Sequence, residues 1–158
     1  DCSSRGLGDV YKRQSLALSQ AAIESGWGTS RFAFEGNALF GQYVWGNDEN
    51  GIVPTERKNN EVFSIKAFSS LRESVASYML NLNSNHHYNE FRNNRFILKN
   101  TEQKISGIHL AEFLKNYSIE DNYPSKVIGI IKTNNFEDLD DMKIDKRIIA
   151  ENILSDVI

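Results

Sequence analysis

Apolar and polar positions along the chain form helical stripes, broken once by a stretch that alternates every second residue. Leu16, Gln20, Ile23 and Trp27 recur at helical spacing, and Gly26 and Gly28 stand where such a helix would end. Residues 36–45 (GNALFGQYVW) are aromatic and punctuated by glycine, which predicts a packed loop. Turn clusters at residues 47–51 and 58–60 flank two apolar stretches, 52–55 and 62–68. In the second, Val62, Ser64 and Lys66 alternate with Phe63, Ile65 and Ala67, so the pattern predicts a strand pair, a small β-hairpin.

Helical periodicity then takes over. Ser70 followed by Glu73 reads as a capping box, and Val75, Tyr78, Met79 and Leu82 form one stripe behind it. Residues 88–99 read as a further helix. Leu110, Phe113, Leu114 and Tyr117 make another stripe behind Ser106, and Tyr123, Val127, Ile130 and Ile131 a third, with Pro124 tolerated in its first turn. Ile148, Ile149, Ile153 and Val157 suggest a short terminal helix after an acidic connector. The expected fold class is α+β, mainly α, with one β-hairpin inserted near the front.

Length and charge narrow this picture. The 158 residues suit one domain, taken here as residues 15–136, with residues 137–158 as connector and terminal helix. Residues 1–14 (DCSSRGLGDVYKRQ) carry neither helical nor strand periodicity and no signal-peptide core, so they are expected to be a non-native leader. The net charge of −3, with basic residues scattered among acids, argues against nucleic acid as a partner. The longest apolar run, near residues 127–131, is too short to span a membrane. Cys2 stands alone and His86, His87 and His109 do not form a ligand pattern, so neither metal nor cofactor is expected. The acidic stretch at residues 137–145 lacks the glycine and terminal glutamate of a calcium loop and reads as a solvated linker.

The best candidate for chemistry is Glu24. In the last turn of the first helix it faces the negative end of the macrodipole, which disfavours its ionised form. Trp27 nearby can add a dry wall, and desolvation raises a carboxyl pKa in the same direction. A carboxylic acid still protonated near neutral pH suits donation to a leaving oxygen. On spacing alone, a plainly solvated glutamate fits the same position.

A longer pattern bears on that choice. The run SLALSQAAIESGWGTSRFAFEGNALFGQ, starting at Ser15, resembles the signature of the bacterial glucosaminidase family (glycoside hydrolase family 73), whose members cleave the glycan strands of peptidoglycan. WGNDENGIVP, SVASYMLNLN and KNYSIEDNYPSKVIGIIKTNNF are similar to later segments of its Bax-like branch. The resemblance runs from Ser15 to about Asn135. It implies a lysozyme-like helical lobe, a β-hairpin lobe and a glycan cleft between them, with the glutamate of ESGWG, Glu24 here, as general acid. The bond would be the β-1,4 link between N-acetylglucosamine and N-acetylmuramic acid, broken through an oxocarbenium-like state.

Further residues follow from the resemblance. A second carboxylate would come from the hairpin, which offers Asp48, Glu49, Glu56 and Glu61; Glu56, after Thr55, stands first and Glu61 second, with solvated hairpin charges as the alternative for each. The substrate's own acetamido group could also take that role. Tyr117 and Tyr123 lie in YSIEDNY, similar to a family segment that contributes an active-site tyrosine, although Glu120 and Asp121 replace its usual Asp-Pro. Tyr117 also completes an apolar stripe and so fits a core position, whereas Tyr123, heading a helix, is freer to point into a cleft. Trp45 is the candidate sugar platform, and Asn37 a loop-fixing residue with a secondary contact to substrate. Phe40 reads more as core than as contact, and Trp27 as packing behind Glu24. The implied partner is peptidoglycan outside the cytoplasm, met by a monomer. A lytic transglycosylase on the same scaffold and a glycan-binding module without turnover are the competing functions.

Overall fold

A computed structural model describes residues 14–45, 51–55, 62–101 and 105–142. Helices α1 (Gln14–Ser25) and α2 (Arg31–Gly36) come first. Strands β1 (Tyr43–Trp45), β2 (Gly51–Ile52) and β3 (Phe63–Lys66) follow, then helices α3 (Leu71–Ser84), α4 (Asn89–Asn100), α5 (Gly107–Ala111) and α6 (Tyr123–Thr133). Short 3-10 helices occupy His86–Tyr88 and Phe136–Asp141. The expected α+β, mainly helical architecture is what forms.

The local signals explain most helix ends. Ser70 accepts the Glu73 amide, and the Glu73 carboxylate accepts the Ser69 amide, a capping box shifted by one residue. Ser106 caps α5 by accepting the Ile108 amide. At the far end of α1, the Trp27 amide donates to the Ala22 carbonyl and the Gly26 amide to the Ile23 carbonyl. That pairing is a Schellman motif, with Gly26 in the left-handed conformation it requires. The helix therefore stops at Ser25, and Trp27 lies beyond the stripe the spacing assigned to it.

The structure departs from expectation in three places. Residues 43–45 are a strand and not part of a loop, and the sheet has three strands in the order β1-β3-β2, both pairings antiparallel. Cross-strand aromatic packing accounts for the added strand, because the Phe63 ring meets Tyr43 at 4.9 Å and Trp45 at 6.1 Å. The strand expected at residues 52–55 shrinks to Gly51 and Ile52, paired with Lys66 and Ile65. The stripe through Tyr117 is also not one helix. After Ala111 the chain turns, with the Phe113, Leu114 and Tyr117 amides each bonded three residues back. Such tight turns keep positions three and four apart on one side, which is why the repeat mimicked a helix.

The core gathers around α1, with Leu16, Phe91, Leu110, Leu114, Val127 and Ile131 buried in one cluster. The absence of a side chain at Gly107 lets α5 come close to α1: a Cβ placed there would lie 2.0 Å from Ser15 Oγ. Both helix starts point at one carboxylate. Asp140 accepts the Ser15 amide at 2.9 Å, the Ser15 hydroxyl at 2.7 Å and the Gly107 amide at 3.1 Å. At 8% exposure it is a buried cap shared by two helices, favoured by their positive ends. The solvated-linker expectation for residues 137–145 thus fails at residues 137–141, which belong to a 3-10 helix held through Asp140; the rest of that stretch and the terminal helix expected further on lie largely outside the described residues.

Replacing Asp140 by Ala should leave three buried donors unpaired and lower the unfolding free energy by about 3 kcal/mol. Asp138→Ala, on the exposed side of the same turn, should stay within about 0.5 kcal/mol. Urea denaturation of both variants checks this, and equal losses would refute the shared-cap role.

Candidate active site

Glu24 is the last residue but one of α1, and the Schellman turn that follows holds it at the helix end. Ser25 locks that end from beneath: its hydroxyl donates to the Ala21 carbonyl at 2.6 Å and accepts the Gly28 amide at 2.8 Å. The Glu24 side chain is half-buried and borders a cavity of about 430 Å³. Gly41 and Tyr43 line one side of that cavity, and His87, Lys115, Asn116 and Tyr117 line another. A smaller cavity of about 220 Å³, bordered by Asn81 and Tyr88, shares Gly41, Tyr43 and Tyr117 with it.

The carboxyl group has two distinct sides. Oε1 accepts the Tyr123 hydroxyl at 2.7 Å. Oε2 lies against Gly41, where a Cβ would sit 2.8 Å away. Gly41 also has φ +59, so both its conformation and the space above it call for glycine. Burial, the largest effect, pushes the Glu24 carboxyl above its ordinary value of 4.5. The Tyr123 hydrogen bond opposes that rise, while Glu120 adds to it and Lys126 subtracts. Lys126 and Glu120 are themselves paired at 2.5 Å.

The two tyrosines exchange the roles their spacing suggested. Tyr123 is 1% exposed, so it is a core residue that reaches Glu24 only through its hydroxyl. Burial first, and the Glu24 charge second, hold its phenol well above the usual range, keeping it a proton donor. Tyr117 is only half-buried and lines both cavities. Its ring stacks on Tyr123, with centroids 5.4 Å apart, and its hydroxyl donates to the Phe40 carbonyl at 3.0 Å. The cleft-facing ring is therefore Tyr117, with Tyr123 behind it.

The remaining candidates separate. Trp27 does not pack behind Glu24: it sits at φ 59, is 58% exposed and meets Phe136 at 6.5 Å. Gly41 and Tyr123 supply the walls expected of it. Phe40 is 3% exposed and stacks on Tyr78 at 4.0 Å, so its ring belongs to the core. Asn37, at φ 50, caps α2 and donates from Nδ2 to the Phe68 carbonyl at 3.0 Å, fixing the loop as its position suggested. Trp45 is 75% exposed and shares a strand face with Tyr43, which lines the cavity. Glu56 and Glu61, with Asp48 and Glu49, lie outside the described residues. Among the described residues no three His, Cys, Asp or Glu side chains cluster as a metal site requires, and no helix is long and apolar enough to cross a membrane.

Gly41, His87, Lys115 and Asn116 on the cavity wall, and Gln20 behind it, are site residues beyond those expected from the sequence. Only Gln20 left a signal, a polar residue inside the apolar stripe of α1.

A helical body with a half-buried carboxyl at a helix end, facing a cleft beside a small antiparallel sheet, defines a lysozyme-like fold. Solved structures share it. The catalytic domain of the autolysin Auto from Listeria monocytogenes is similar over 85% of this chain and 79% of its own, with TM-score 0.56 and 18% identity. A peptidoglycan hydrolase from Sphingomonas sp. A1 is similar over 89% of this chain and 92% of its own (TM-score 0.57, 17% identity). An N-acetylmuramoyl-L-alanine amidase from Staphylococcus aureus matches over 89% of this chain and 40% of its own, with TM-score 0.60 and 25% identity.

Residues 9–136 match the family described as mannosyl-glycoprotein endo-beta-N-acetylglucosaminidase, and the chain belongs to this glucosaminidase family. Its branch is the Bax-like one: it is 36% identical over 105 residues to protein bax of Escherichia coli (strain K12). That alignment takes in 66% of this chain and 36% of the relative's length.

A carboxyl whose folded-state pKa is raised contributes its full stability below its unfolded pKa, and loses it as pH rises through the folded value. Glu24→Gln should therefore raise Tm at neutral pH, with the gain vanishing in acid below the usual glutamate range. Thermal unfolding across that span checks it; a variant less stable than the parent at neutral pH would contradict the buried-acid geometry.

Proposed function

We propose that this chain is a peptidoglycan hydrolase that cleaves the β-1,4 bond between N-acetylglucosamine and N-acetylmuramic acid, with Glu24 as general acid. The observation that carries this reading is the Glu24 carboxyl itself. It is half-buried at a helix C-terminus, raised in pKa and open on one side to a cavity of about 430 Å³. Family membership supports the glycosidase class, and the names of the structural relatives, an autolysin and a peptidoglycan hydrolase among them, support the cell wall as its target.

The chemistry follows from that site. Glu24 gives its proton to the glycosidic oxygen as the bond to the anomeric carbon breaks, releasing the leaving sugar as an alcohol. Positive charge develops at the anomeric carbon and ring oxygen. Water supplies the hydroxyl that ends the new reducing sugar, and its remaining proton passes to a carboxylate. We assign that second role to Glu56 before Glu61, both from the segment between β2 and β3. The substrate's acetamido group is an internal alternative. Tyr117 presents the cleft-facing ring and Trp45 an exposed platform for a pyranose, while Tyr123 holds Glu24 from behind. Peptidoglycan lies outside the cytoplasm, so the enzyme works in the periplasm or at the cell surface.

Digestion of purified peptidoglycan, followed by borohydride reduction and mass spectrometry, should give reduced N-acetylglucosamine ends. Glu24→Gln should lower the rate by at least about a hundredfold. The alkaline limb of kcat/KM should lie above the ordinary glutamate range and move higher still in Tyr123→Phe, which loses the hydrogen bond that favours the carboxylate. Anhydro-muramic ends would replace this reading with a transglycosylase. A folded chain that binds glycan without cutting it would reduce it to a binding module.

A further inference from the structure

Behind the Glu24–Tyr123 pair the hydrogen bonds continue inward. Gln20 Nε2 donates to the Tyr123 hydroxyl oxygen at 3.2 Å, and Gln20 Oε1 accepts the Tyr78 hydroxyl at 2.7 Å. Gln20 is 0% exposed, Tyr123 1% and Tyr78 3%, so water cannot substitute for any partner. Three elements contribute: Gln20 and Glu24 from α1, Tyr78 from α3 and Tyr123 from α6.

These bonds all run in one direction. An amide has one accepting end and one donating end, so the Tyr78 hydroxyl, by donating to Oε1, turns Nε2 toward Tyr123. The Tyr123 oxygen then already accepts an N–H, and its own hydrogen goes to Glu24 Oε1. That oxygen is kept as an acceptor. A proton added to Glu24 goes to the other oxygen, the one beside Gly41 on the cavity wall.

We infer that Gln20 and Tyr78 are positioning residues that fix the direction of the Tyr123 hydroxyl and so reserve Glu24 Oε2 as the oxygen that carries the transferable proton. Neither residue borders either of the two cavities. The inference rests on Glu24 being the acid of the proposed function, but its geometry can be tested without substrate.

Other groups act on Glu24 and must stay fixed in the test. Tyr88 follows α3, and Tyr117 and Glu120 lie between α5 and α6 with Lys126 on α6; all four couple to its charge. Tyr43, His87 and Lys115 border the same cavity. None of them belongs to the relay. Gln20→Met removes the amide at nearly constant volume, and Tyr78→Phe removes one oxygen while keeping the ring that stacks on Phe40.

The direct experiment is a 13C NMR titration of the side-chain carboxyls, with the Glu24 signal assigned by its loss in Glu24→Gln. Once Tyr123 is no longer committed as donor, the neutral acid gains a bond it lacked. The Glu24 midpoint should therefore move to higher pH by about 0.5 in each variant. In a Tyr123→Phe background, Gln20→Met should add no further movement, because the oxygen it works through is gone. With peptidoglycan, each single variant should lose kcat about five- to tenfold with KM within about twofold. Unmoved midpoints in folded variants would overturn the relay, as would an equal further shift in the Tyr123→Phe background or a loss confined to KM. A chain that shows these shifts yet cuts no glycan would leave the relay standing and defeat the function reading alone.

Discussion

The structure turns on one hydrogen bond, from the Tyr123 hydroxyl to Glu24 Oε1 across 99 residues of chain. A carboxyl at the C-terminal end of a helix is in an unfavourable field, and half-burial makes its charge costlier still. Solvent would normally relieve both by drawing the side chain outward. Here the phenol holds it at the cleft wall, and holding it requires α1 and α6 to stay in register. Much of the core serves that register, from the aliphatic contacts of Val127 and Ile131 to the Tyr117 ring stacked on Tyr123.

The opposite end of α1 is tied down as well. Asp140 fastens the start of α1 to the start of α5 with three hydrogen bonds, while the Schellman turn fixes the other end of the helix. A helix secured at both ends delivers Gln20 and Glu24 to set positions within its length. Gly41 closes the arrangement from the sheet side, leaving Oε2 clear in a place where any side chain would press on it. Stability and proposed activity pull in opposite directions at Glu24, since the burial that raises the carboxyl pKa also penalises the fold once the group ionises.

What the chain made legible was whatever depends on local spacing. The helical stripes of α3 and α6, the Ser70 cap and the place of Glu24 at a helix end are all consequences of neighbouring residues, and the structure holds them. The third strand depended on Phe63 meeting Tyr43 and Trp45, a contact between distant residues that no local pattern encodes. Tyr117 and Tyr123 were identified as a pair, but their depths were exchanged, because helical register says which residues share a face and not how far another element covers them. Trp27 falls off the α1 stripe, since a helix ended by Gly26 cannot carry that stripe onward. Asp140 looked like one charge in an acidic run; only folding reveals which of those carboxylates meets two helix starts.

A crystal structure of Glu24→Gln with a peptidoglycan fragment spanning the cleft would show directly which carboxyl oxygen meets the substrate. In that variant the amide nitrogen stands where the protonated oxygen would be. Residue 24 should accept the Tyr123 hydroxyl through Oε1 and donate from the atom beside Gly41 to a glycosidic oxygen at about 3 Å. A glycan seated with its nearest glycosidic oxygen well beyond hydrogen-bond reach of that atom, or bonded on the Tyr123 side, would contradict that assignment.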